Sequence, residues 1–132
     1  IMQKIYKKYQ GVAIEDDLAY ASKEFKQFAS YFKRRLKMNL EDRGMNLVEF
    51  HVGHYDFGGF AEKDGKYVYF SYSCPRYGTP INFEKTDCME GFLYRTAKSE
   101  KDYTGGRNHF TNLLQLVPEI ERLIQAETRN AA

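Results

Sequence analysis

The 132-residue sequence predicts an α+β domain: an antiparallel sheet of about four strands, with a long N-terminal helix and a C-terminal helix packed on it. Two observations carry this expectation. The spacing of apolar residues changes from about 3.6 to 2 at Gly44, and a Lys63-Asp64-Gly65-Lys66 turn joins two alternating segments. Phe and Tyr, 10 and 11 of each with no Trp, supply the strand-forming bulk.

Residues 1–14 read as an arm or a short helix, with Ile5, Tyr9, Val12 and Ile14 as its apolar contacts. The clearest helix spans 15–43. Leu18, Ala21, Phe25, Phe28, Ala29, Phe32, Leu36 and Leu40 form one stripe at three- and four-residue spacing. Asp16 and Asp17 suit the positive end of its dipole, and Gly44 suits a C-terminal cap. Its other face carries Lys23, Lys26, Lys33, Arg34, Arg35 and Lys37.

The sheet is expected over 45–98. In 46–54, Val48, Phe50 and Val52 alternate with Glu49, His51 and Gly53. A second strand, 57–62, contains Gly58-Gly59, which predicts a bulge or a close backbone approach. Asp64-Gly65 turns the chain into a third strand, 67–73, and 92–98 is a fourth. The connection from Pro75 to Gly91 is broken by Pro75, Gly78 and Pro80. Residues 99–110 form a polar loop with Gly105-Gly106. A helix over 111–127 follows, capped by Thr111 or Asn112, with Pro118 either in its first turn or kinking it.

Several functional classes fare poorly. A net charge of +2 gives no global polyanion signal, so any basic surface is local. No apolar run approaches the roughly 18 residues of a membrane span, and residues 1–8 lack a signal-peptide core, so a cytoplasmic location is expected. Cys74 and Cys88 fit no metal or redox spacing and read as free thiols. His51 and His54 lie three apart, on opposite faces of an extended strand unless Gly53 bends it, so no metal or cofactor is expected. No nucleophile motif is present, and an enzyme is not expected.

Two surfaces are left as candidates. The segment 95–108 gathers Arg95, Lys98, Lys101, Asp102, Tyr103 and Arg107 beside two glycines. It reads as an anion-binding nest, a contact surface, or a structural loop with Gly at positive φ and Asp102 paired to Arg95 or Lys98. The helix face of Lys26, Lys33, Arg34 and Lys37 is the nucleic-acid candidate, against its ordinary role as a solvated face.

Three stretches, Gly65–Ser71, Leu93–Lys98 and Lys101–Gly106 with Asn108, carry a resemblance across about residues 45 to 125. The chain resembles small proteins of plasmids, conjugative elements and prophages of Gram-positive bacteria. The resemblance implies a non-enzymatic protein whose partner is a host or element-encoded protein, a nucleoprotein complex included. An inhibitor of host defence, of anti-CRISPR or anti-restriction type, is the implied role. With Tyr and Arg frequent in interface hot spots, the expected contact residues are Arg95, Lys98, Lys101, Asp102, Tyr103 and Arg107, with Tyr55 and Tyr77 from neighbouring loops. Direct nucleic-acid binding through the helix face is the alternative.

Overall fold

The computed structural model describes residues 2–14, 23–53, 56–73, 75 and 78–131. Among them are three α-helices, α1 (Met2–Tyr9), α2 (Lys23–Asp42) and α3 (Leu116–Ala131). Five strands, β1 (Asn46–Val52), β2 (Asp56–Lys63), β3 (Lys66–Ser73), β4 (Phe92–Ala97) and β5 (His109–Thr111), form an antiparallel meander in chain order. The α+β class is therefore the one expected, with one strand more than the pattern predicted. β5 lies at the end of the stretch read as loop, and three residues are too few to display a period.

α1 settles residues 2–9 as a helix, with Met2 and Ile5 buried. The chain beyond it is tied to the long connection after β3. Gly11 donates to the Ile81 carbonyl at 2.7 Å, Ile81 donates to the Val12 carbonyl at 2.9 Å, and Ala13 bridges Pro80. The described part of the long helix begins at Lys23; Asp16, Asp17, Leu18 and Ala21 lie outside the described residues. Its buried stripe is the predicted one from Phe25 to Leu40. It ends in a Schellman cap: Gly44, at φ +76°, donates to Glu41, and Met45 donates to Leu40.

The Asp64-Gly65 turn has both residues at positive φ, +51° and +79°, the primed geometry whose twist matches a two-residue hairpin. Of the two outcomes expected at Gly58-Gly59, close approach is the one realised. A Cβ on Gly58 would sit 2.6 Å from the Phe70 carbonyl oxygen, and one on Gly59 would overlap that of Glu49. The irregularity in register falls instead in β1, between Leu47 and Glu49. A 3-10 turn, Leu113–Gln115, precedes α3, and the Asn112 side chain caps it by accepting from the Gln115 N–H at 3.0 Å. Pro118 sits in the first turn of α3, where its missing N–H costs nothing.

Both long helices cover one face of the sheet, α2 toward β1 and α3 toward β3 and β4. Phe57 and Ala61 of β2, Val68, Phe70 and Tyr72 of β3, and Phe92 and Tyr94 of β4 point into this layer and are buried. Phe28 is its hub, with ring centroids of Tyr9, Phe25, Phe32, Phe57, Tyr72 and Phe83 all within 6.5 Å. Alternation sends His51, Phe60, Tyr67, Tyr69 and Arg95 to the opposite face.

Candidate functional site

That opposite face is not open. The segment after β4 folds back across it as a strap, and Arg95 is the reason. Only 6% exposed, its guanidinium lies 4.5 Å from the Tyr69 ring centroid and donates to the backbone carbonyls of Gly105 at 2.6 Å, Tyr103, and Asp102 at 3.5 Å. The five-donor fork of Arg suits a spread of carbonyls that one ammonium could not span. Asp102 closes the strap from within. Its carboxylate accepts from the backbone N–H groups of Lys98 at 2.9 Å, Gly105 at 2.8 Å and Thr104 at 3.2 Å. These bonds, that from Lys98 foremost, hold its pKa below the usual 3.8. Gly106, at φ +78°, packs where any Cβ would collide with Thr96.

Tyr103 then lies edge-on over His51, Phe60 and Tyr69, at centroid separations of 5.3–5.8 Å. Phe60 is thereby fully buried although it faces away from the helices. Tyr67 and Tyr69 are half-buried, and burial pushes the Tyr69 hydroxyl pKa upward. Beneath the strap, His51 Nδ1 is buried with no hydrogen-bond partner.

These contacts correct one expectation for 95–108. Arg95 was expected at an exposed contact surface, but it is an internal cross-link. Asp102 is partly buried and spends its oxygens on the loop's own backbone. Of the expected loop structure, positive φ occurs at Gly106, while Asp102 bonds backbone amides and not the Lys98 side chain. Lys98, Lys101, Tyr103 and Arg107 remain exposed, Tyr103 by half. Tyr55, Tyr77, His54 and Cys74 lie outside the described residues. Cys88 is an exposed free thiol. Among the described residues no group of three or more His, Cys, Asp or Glu could hold a metal ion, and no helix is long and apolar enough to cross a membrane.

The second candidate surface is denser than the sequence alone indicated, because α1 packs along α2. A groove of about 740 Å³ runs between them, lined by Lys8 and Tyr9 from α1 and by Lys23, Lys26, Gln27, Ser30, Tyr31 and Arg34 from α2. Of the four expected residues, Lys26 and Arg34 meet here, 12 Å apart along the axis at roughly 1.5 Å per residue. Lys33 and Lys37 are turned away, flanking β1 beside a smaller depression of about 320 Å³ with Leu47, Val48, Glu49 and Phe50. Tyr31 is the hub of the groove. Lys8 Nζ lies 4.4 Å from its ring centroid, and the guanidinium carbons of Arg35 and Arg34 lie at 5.3 and 5.8 Å.

No carboxylate lines the groove among the described residues; Glu24 lines an adjoining cleft, with Val12, Ala13, Ile14 and Phe28, that shares Lys8, Tyr9 and Gln27 with the groove. Of the three ion pairs among the described residues, one touches this layer, Lys37 with Glu41 at 4.0 Å. α1 and α2 carry nine Lys and Arg against three Asp and Glu, a formal +6, while the rest of the chain carries −4. The near-neutral total conceals this division. Lys8 could not be assigned to the site from sequence, because residues 1–14 show no packing partner until the fold places them on α2.

Comparison with protein-family models, with curated proteins and with solved structures finds no match to this chain.

Proposed function

We propose that this protein binds nucleic acid, or a comparably dense polyanion, through the basic layer of α1 and α2, without catalysing a reaction. The observation that carries this reading is the convergence of Lys8, Lys23, Lys26 and Arg34 from two helices on one groove with no lining carboxylate among the described residues. Clustered cations gain affinity for phosphates by releasing counterions, so the interaction is salt-dependent. Gln27, Ser30 and the tyrosine hydroxyls add neutral donors beside the cations.

The experiment is fluorescence anisotropy of a labelled 20-nucleotide strand and its duplex across a salt series. With four phosphates neutralised, duplex affinity should fall about 100-fold between 50 and 200 mM salt. Lys26→Glu with Arg34→Glu should abolish binding, whereas Lys101→Glu with Arg107→Glu on the strap should leave most of it. Absence of binding at 50 mM salt sinks this reading.

A second reading, contact with a protein partner, is favoured by one observation: Tyr103 is half exposed beside Lys98, Lys101 and Arg107. The resemblance to proteins of mobile elements supports a host defence complex as that partner. Salt-resistant association lost on Tyr103→Ala would favour it over nucleic acid.

A further inference from the structure

We infer that the α1–α2 groove is a phosphomonoester site, taking the terminal phosphate of a nucleic-acid strand and not merely the passing backbone. This rests on the nucleic-acid reading but adds a geometry to it. A surface that follows a backbone needs cations spaced along a line, as Lys23, Lys26 and Arg34 are over roughly 16 Å of α2, but at the Arg34 end Lys8 crosses from α1 to join them. Lys8 and Arg34 line the same groove of about 740 Å³, a volume in the range of small-ligand sites, with Lys23 and Lys26 farther along its α2 wall.

The second observation is the Tyr31 hub. Three cations, Lys8, Arg34 and Arg35, approach one ring within 6 Å of its centroid. Their mutual repulsion is only partly offset by the ring's quadrupole. A compact dianion seated among them would relieve it more than a diester phosphate of single charge. Arg can bind two phosphate oxygens at once and Lys a third, while Ser30 and Gln27 offer neutral donors from the same wall. The ring is already covered by cations, which leaves the groove suited to a phosphate more than to a stacked base.

The test compares one fluorescent 12-nucleotide DNA carrying either a 5′-phosphate or a 5′-hydroxyl, label at the 3′ end, with adenosine 5′-monophosphate and inorganic phosphate as separate probes by amide NMR. The phosphorylated strand should bind about tenfold more tightly or better. Lys8→Gln and Arg34→Gln should each erase that difference, while Lys33→Gln with Lys37→Gln should weaken both strands equally. Equal, tight binding of the two strands overturns the phosphomonoester site and leaves the nucleic-acid reading standing. Failure of both strands, with adenosine monophosphate still shifting the amides of Lys8, Ser30 and Arg34, overturns the nucleic-acid reading and upholds the site for a free nucleotide. A response to inorganic phosphate of equal size would assign the site to the bare anion, also upholding it. Silence from every probe overturns both.

Discussion

Single residues hold the two faces of the sheet in different ways. Arg95 carries the strap: Arg95→Ala leaves three strap carbonyls without their donor and uncovers Phe60, so it should cost about 2–3 kcal/mol, read from the denaturation midpoint. Arg95→Lys keeps the charge but not the fork, and should recover less than half of that loss. In both variants hydrogen exchange at 98–106 should accelerate before that of the core. On the helix face Tyr94 is the pH-sensitive residue. Its hydroxyl donates to Glu119 at 3.1 Å, and burial first, then the charge and hydrogen bond of Glu119, push its pKa to about 12. Because the folded value lies above the ordinary 10.0, the native state favours the neutral phenol. That contribution is intact below pH 10 and is lost as pH rises toward 12. Ultraviolet titration should show a tyrosine ionising near pH 12 that is absent in Tyr94→Phe, with stability declining over the same window.

Elements were legible in sequence wherever a local rule has only one geometric solution. The glycine after α2 must take positive φ to let Met45 reach back to Leu40. Gly44→Ala should therefore destabilise the protein by about 1 kcal/mol in chemical denaturation, although a Cβ there meets nothing closer than 3.8 Å. Asp64-Gly65 and the Phe25–Leu40 stripe are similar cases. What eluded the sequence depends on partners distant in the chain. β5 exists because His109–Thr111 pairs with Phe92–Tyr94 across a strap of eleven residues, and no pattern within three residues announces that. Arg95 alternates as a surface residue should, and it is buried only because its own following loop returns over it. The same holds for the groove. The α2 cations could be read from spacing, but their convergence with Lys8 required knowing that α1 lies on α2.

Across the whole molecule, the uneven charge sets the proposed anion binding against stability. A layer of formal +6 on a chain of +2 concentrates repulsion in α1 and α2, and like charges near one another destabilise the compact state they occupy. The fold tolerates this through the aromatic core beneath, with Phe28 fully buried at its centre. Salt should then act in opposite directions on two measurements. In the free protein, raising sodium chloride from 20 to 200 mM screens the Lys8, Arg34 and Arg35 cluster and should raise Tm by about 1–3 °C, a few tenths of a kcal/mol for a domain of this size. Affinity for a polyanion should fall over the same range. A variant with Lys26→Gln and Arg34→Gln should start from the higher Tm at low salt and respond less to added salt, because the repulsion has already been removed. If the variant instead melts lower at 20 mM salt, those cations stabilise the fold and the groove is a solvated helix face. If it melts higher and loses the polyanion together, the protein maintains an electrostatic strain that a bound polyanion relieves.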